Sequence, residues 1–158
     1  MKKIVTLTLV LMLVFALAAC TSPAKATQLG TSDFSIVLPE GYAPAEDDMS
    51  EDQVAYFYKD DNSIDFDVYQ WEKDDAFTLE EEASYYADEY DTTAEAVTVN
   101  GISGYKYVST EEYEGKTYTV VNYMFEDDTN IVEICFWTVN TDAEYKAVDE
   151  ILGTLKKN

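Results

Sequence analysis

Hydrophobic and polar positions divide the chain into one unbroken apolar run, a series of alternating stretches, and two stretches with helical spacing. The unbroken run is Ile4–Ala19, which carries no charge and follows Met1-Lys2-Lys3. The first alternating stretch is "FSIVLPEGY", closed by Pro39 and Gly41. "QVAYFYKD" and "SIDFDVYQWE" follow, joined around Asp61-Asn62, which is a hairpin signal. Further on, "EAVTVNGI" turns at Asn100-Gly101. "GYKYVSTEEY" and "KTYTVVNYMFE" then meet around Glu114-Gly115, and "DDTN" leads into "IVEICFWTV". A repeat of two predicts strands in all of these.

Helical spacing appears twice. Leu79, Ala83, Tyr86, Ala87 and Tyr90 share one face, and Thr78 with Glu81 fits a capping box ahead of them. Tyr145, Val148, Ile151, Leu152 and Leu155 form the second face, opened by Thr141 with Glu144. The order is three strands, a helix, four strands and a helix. Short turns between neighbouring strands predict an α+β fold: an antiparallel sheet of about six to seven strands sandwiched by two helices.

Two strands sharpen this expectation. In Ile131–Val139, Val132, Ile134 and Phe136 fall on one face, while Ile131, Cys135, Trp137 and Val139 fall on the other with Glu133. A strand apolar on both faces is covered on both, so this one is expected to be central, between two helical layers. In Ser63–Glu72, Ile64, Phe66 and Val68 oppose Asp65, Asp67, Tyr69 and Trp71. That strand is expected to be half exposed and near an edge, where acids discourage edge pairing.

The run Ile4–Ala19 is shorter than the roughly 20 apolar residues a spanning helix needs, and it ends in small residues. It reads as a signal peptide. Its ending, Leu17-Ala18-Ala19-Cys20, resembles a bacterial lipobox, which implies cleavage before Cys20 and a diacylglycerol thioether on its sulfur. Two acyl chains anchor stably, so the chain is expected at the extracytoplasmic face of the cell membrane, held by its lipid. Residues 1–19 are then the lipoprotein signal peptide and 20–32 a lipidated tether. The tether includes the small polar stretch "TSPAKATQLGTS", and 33–158 is a single domain. With Cys20 alkylated, Cys135 has no intramolecular partner and is expected to be a buried free thiol.

Composition narrows the chemistry. The 158 residues hold 10 lysines and no arginine against 32 acids, a formal net charge of −22 that deepens when Lys2 and Lys3 leave. Such a surface repels nucleic acid. There is no histidine, which removes Ser-His-Asp and Cys-His catalysis and His-ligated zinc. No glycine-rich phosphate loop is present, and no cofactor is expected.

"FSIVLPEGY" is shaped like the F-x-I-x-x-P-x-G-W/Y opening of PsbP-like domains, with Tyr42 in the final aromatic position. "VNGISGYKY", the long hairpins and the closing "VDEILGTLK" add to the likeness. The chain therefore resembles the PsbP-like fold, including DcrB-related bacterial lipoproteins, over about residues 33 to 157. The resemblance implies an accessory or binding module without enzyme activity.

The acidic clusters are candidates for cation sites. "DDNSID" offers Asp60 and Asn62, but Ile64 occupies the third ligand position and no glycine follows, so the calcium-loop pattern fails. A looser site would draw on Asp60, Asp61, Asp65 or Asp67, and the loop Glu46–Asp52 stands similarly. The stripe Asp65, Asp67, Tyr69 and Trp71 could hold a ligand by stacking and hydrogen bonding. The sequence thus points to a non-enzymatic, lipid-anchored surface protein that binds or assembles another extracytoplasmic component, a protein being the expected partner. The alternatives are a small-molecule or calcium-binding lipoprotein, and a carboxylate-dependent hydrolase using paired acids.

Overall fold

A computed structural model describes residues 25–45, 49–59, 64–113 and 115–158. Cys20, the signal segment, Glu46–Asp48, the Asp61-Asn62 turn with Asp60, and Glu114 lie outside the described residues. The elements run β1 (Ala26–Gln28), β2 (Phe34–Val37), β3 (Ala43–Pro44), β4 (Gln53–Tyr58), β5 (Phe66–Glu72) and α1 (Leu79–Glu89). They continue with β6 (Glu95–Val99), β7 (Ile102–Tyr113), β8 (Lys116–Glu126), β9 (Asn130–Trp137), α2 (Asp142–Leu152) and β10 (Lys156–Lys157).

Seven strands form one antiparallel sheet in the order β3-β4-β5-β9-β8-β7-β6. The turn chemistry read from the sequence is present. Asn100 and Gly101 both have positive φ, 51° and 81°, as a two-residue hairpin turn requires. Both helices open on complete capping boxes, Thr78 with Glu81 and Thr141 with Glu144. Each box satisfies two backbone N–H groups that the first turn leaves without partners.

The long sheet has two distinct faces. On the first, Phe66, Val68, Val121, Tyr123, Phe125, Val132, Ile134 and Phe136 join Val148, Ile151 and Leu152 of α2 in the main core. On the second, Tyr107, Met124 and Ile131 pack against Leu79, Ala83 and Ala87 of α1. The two helices therefore lie on opposite faces, as the α+β sandwich expected from the sequence requires.

Four expectations are corrected. The stretch 26–32 is not a free tether. β1 pairs with β2 in register, Leu29 is fully buried in the main core, and Ser32 is buried with it. The folded unit thus begins before residue 33, because the polar-looking "TQLGTS" carries one apolar side chain at the position that faces inward. Second, "FSIV" does not join the long sheet. It pairs with β1 and β10 in a separate three-stranded sheet, and Phe34 and Ile36 cover the main core beside α2. Third, the strand through Asp65–Trp71 is not at an edge. β5 lies between β4 and β9, and Asp67 is buried. Fourth, Val139 does not share a face with Cys135 and Trp137. Thr138 has φ of 61°, which ends β9 and turns Val139 into the main core. A β-branched residue in the left-handed region is strained, and Thr138 lines a depression it shares with Asp65 and Asp67.

Candidate functional site

α1 lies mainly over β7 and β8, reaching Ile131 of β9 and Trp71 of β5 at its margin. It leaves the neighbouring part of that face as a cavity of about 380 Å3. The sheet register builds its floor. Tyr69 stands opposite Glu133 on β9, Asn122 opposite Cys135, and Val120 opposite Trp137. β7 contributes Tyr107 and Ser109 from across β8, and Tyr86 of α1 with Tyr90 at its C-cap forms one wall. Glu51 and Asp52, ahead of β4, and Glu111 add acids to the lining. Both tryptophans of the chain, Trp71 and Trp137, line the cavity.

The aromatic walls are mutually braced. Trp71 and Tyr86 have ring centroids 5.7 Å apart and tilted planes, and Tyr90 stacks over Tyr107 at 6.4 Å. The Trp71 indole N–H donates to Glu82 Oε1 at 3.3 Å, tying β5 to α1. Asn122 Nδ2 donates to Ser109 Oγ at 3.0 Å, so these two buried polar groups satisfy each other.

The chemistry centres on Glu133. It is buried, and Tyr107 Oη donates to its Oε1 at 2.5 Å. Burial pushes its carboxyl up to about 7, against the opposing hydrogen bonds from Tyr107 and Cys135. Burial also raises the Cys135 thiol well above its ordinary value, with Glu133 and Asp67 adding to the effect. The Tyr107 hydroxyl is raised for the same reasons, burial first and the Glu133 charge second. Tyr69 is pushed up to about 12 by burial and by Asp67. Around neutral pH the site thus holds a neutral thiol, neutral phenols and one carboxyl group poised between its two forms. A thiol held protonated is a poor nucleophile.

The ligand stripe expected from the sequence is divided between two places. Tyr69 and Trp71 line the cavity. Asp65 and Asp67 line a neighbouring depression of about 630 Å3 with Gln53, Tyr56, Tyr118 and Thr138, and Trp137 forms the ridge between the two. Asp67 is committed within the protein. Trp137 Nε1 donates to its Oδ2 at 2.5 Å and Gln53 Nε2 to its Oδ1 at 2.6 Å. Burial raises the Asp67 carboxyl, those bonds oppose the rise, and Asp65 adds to it. Asp65 Oδ2 accepts from Tyr56 at 3.1 Å. Among the described residues, no group of three or more Cys, Asp or Glu side chains is placed to hold a metal ion. Asp60 and Asp61 lie outside those residues.

Glu133, Tyr107, Tyr86 and Tyr90 were not among the candidate residues read from the sequence. The signal for Glu133 was its isolation, one acid inside the apolar "IVEICFWTV". Helical spacing marks Tyr86 and Tyr90 only as part of a core-facing side.

No family model matches the sequence, and no curated protein matches it. Solved structures do. Cyanobacterial PsbP (CyanoP) from Synechocystis superposes with a TM-score of 0.63 at 12% identity, covering 89% of this chain and 96% of that one. A protein from Bacteroides thetaiotaomicron gives 0.59 at 19% identity, over 83% of this chain. The present chain spans 49% of that protein's length. LpqN, involved in cell envelope biogenesis of Mycobacterium tuberculosis, gives 0.53 at 13% identity over 87% of this chain and 86% of its own. The domain has the PsbP-like fold. Among the described residues, no helix is long and apolar enough to cross a membrane.

Proposed function

We propose that this protein is a non-enzymatic binding module, held by a lipid on Cys20 at the extracytoplasmic face of the cell membrane, and that it binds its partner through the cavity beside α1. The observation that carries the reading is the cavity itself. The sheet face next to α1 is floored by buried polar groups and walled by braced aromatic rings, where a packed domain would place another apolar layer. Concave, aromatic-walled sites with a few polar groups are the usual form of a binding pocket. Binding is favoured over hydrolysis because the thiol is held neutral and the sequence has no histidine to act as its base. The anchor rests on the lipobox-like "LAAC", and LpqN, a structure of the same fold, is described as an envelope-biogenesis protein.

Two measurements test the two parts. Wild-type protein should partition into detergent and incorporate labelled fatty acid, and Cys20→Ala should lose both properties. Labelling that persists in Cys20→Ala would remove the anchor. For the cavity, a photo-crosslinking amino acid is placed in living cells either at Tyr86, on the cavity wall, or at Tyr145, exposed on α2 across the sheet. An adduct from position 86 and not from 145 is expected. Equal adducts, or none at 86, would sink the cavity as the site that binds a macromolecular partner.

A further inference from the structure

We propose that the group bound in this cavity is a primary alkylammonium, with its nitrogen on the Glu133 carboxylate and its alkyl stem against the aromatic walls. This rests on reading the cavity as the binding site. The group could arrive as a small free amine or as the lysine side chain of a partner protein, since the chemistry recognised is the same.

Three features converge on a cation. None of the lysines among the described residues lines the cavity, so Glu133 faces it without a positive partner. Lys73 is paired with Glu126 and Lys146 with Glu150, both elsewhere. Second, Trp71, Trp137 and Tyr69 line the cavity, and electron-rich rings of this kind attract a cation. Third, the acids Glu111 and Asp52 in the lining and a chain charge of −22 focus a field that concentrates cations and repels anions.

A primary ammonium fits better than a quaternary one. The Glu133 carboxylate accepts from Tyr107 and Cys135, and a carboxylate has about four acceptor sites. Capacity remains for an N–H donor, which a quaternary ammonium lacks. Binding then has a definite proton balance. Glu133 releases its proton to solvent as the ammonium arrives, and a buried neutral acid becomes a buried ion pair.

The groups facing Glu133 leave this exchange unobscured near neutral pH. Tyr69 from β5, Tyr107 from β7, Tyr86 and Tyr90 from α1, and Cys135 from β9 are all raised above their ordinary values and stay neutral. The other charged neighbours are Asp67, the lining acids Glu51, Asp52 and Glu111, and Glu82 and Glu89 of α1 beside Tyr86 and Tyr90.

The test is titration of the full chain, purified in detergent, followed by the fluorescence of Trp71 and Trp137. The probes are n-butylammonium, tetramethylammonium, 1-butanol, butyrate, and a short lysine peptide with its Nε-acetylated form. Butylammonium should shift the emission at lower concentration than the other three small probes. Its affinity should rise about tenfold from about pH 6 to about pH 8, as the carboxylate fraction grows. Glu133→Gln should abolish the response. A lysine peptide that binds only when unacetylated assigns the source to a partner side chain, and a response confined to the small amine assigns it to a free amine. Equal binding of 1-butanol, or an unchanged response in Glu133→Gln, overturns the proposal. If that variant does not fold, a flat pH profile in the wild-type protein overturns it equally. A persistent adduct at position 86 without any amine response discards the ligand class and leaves the cavity as a binding site. No adduct at position 86 with the amine response intact removes the macromolecular partner and leaves a free amine as the ligand of the cavity.

Discussion

Leu29→Ala should lower the unfolding free energy by about 3 kcal/mol, in the middle of the range for a buried leucine replaced by alanine. Leu29 is fully buried and belongs to the main core. The local backbone fixes it there. Leu29 N donates to Phe34 O at 3.0 Å, and Ser32 Oγ donates back to Leu29 O at 2.7 Å. Gly30, with φ of 59°, makes the turn between them, and Thr31 N donates to Gln70 Oε1 at 2.8 Å, joining the small sheet to β5. Surrounding groups held this firmly cannot collapse into the space left by the missing methyls, which keeps the cost high. A urea melt of Cys20→Ala with and without Leu29→Ala measures it. Coincident midpoints would restore residues 26–32 to a tether and move the domain boundary back to residue 33.

That boundary shows where the sequence stops being readable. Strands with a repeat of two and helices with capping boxes were legible because each signal is local. Thr78-Glu81 and Thr141-Glu144 close their hydrogen bonds within four residues. β1 and β10 were not legible. They are short, exposed along much of their length, and exist as strands because β2 lies between them. Nothing in "ATQ" or "KK" carries that information without the tertiary partner.

The cavity was half legible, for a related reason. Alternation along β5 placed Tyr69 and Trp71 on one face together with Asp65 and Asp67. The sequence could not say that Trp137, arriving from β9, would divide that face. Asp67 ends on one side of the indole as its acceptor, while Tyr69 and Trp71 fall on the other side with Glu133. Cys135 is the buried free thiol expected from the sequence, yet Glu133, two residues before it, decides the chemistry. The pairing Tyr69 opposite Glu133 and the approach of Tyr107 from β7 are facts of register, which a one-residue slip would reverse.

Glu133→Gln should stabilise the protein at alkaline pH by up to about 3 kcal/mol and leave it unchanged near pH 4.5. The ordinary value of the group is 4.5, and burial raises it to about 7 in the folded chain. Between those values the folded state keeps a proton that the unfolded state gives up. The wild-type protein therefore loses stability from this group as pH rises through the window, and the loss is complete above about 7. At about 1.4 kcal/mol per pKa unit, the gap between 4.5 and about 7 amounts to about 3 kcal/mol. Glutamine carries no charge at any pH, and its amide oxygen can still accept from Tyr107, so the variant escapes the loss without leaving that hydroxyl unpaired. Denaturant melts of both proteins from about pH 4.5 to about pH 8.5 give the difference directly, and the remaining acids cancel between them. A difference that stays flat across the window would mean that Glu133 is solvated and not buried. Saturating butylammonium should then close the gap from the wild-type side. It should raise wild-type stability at alkaline pH by replacing the missing counter-charge, and do nothing for Glu133→Gln, because only a carboxylate at the cavity floor has a charge to be met.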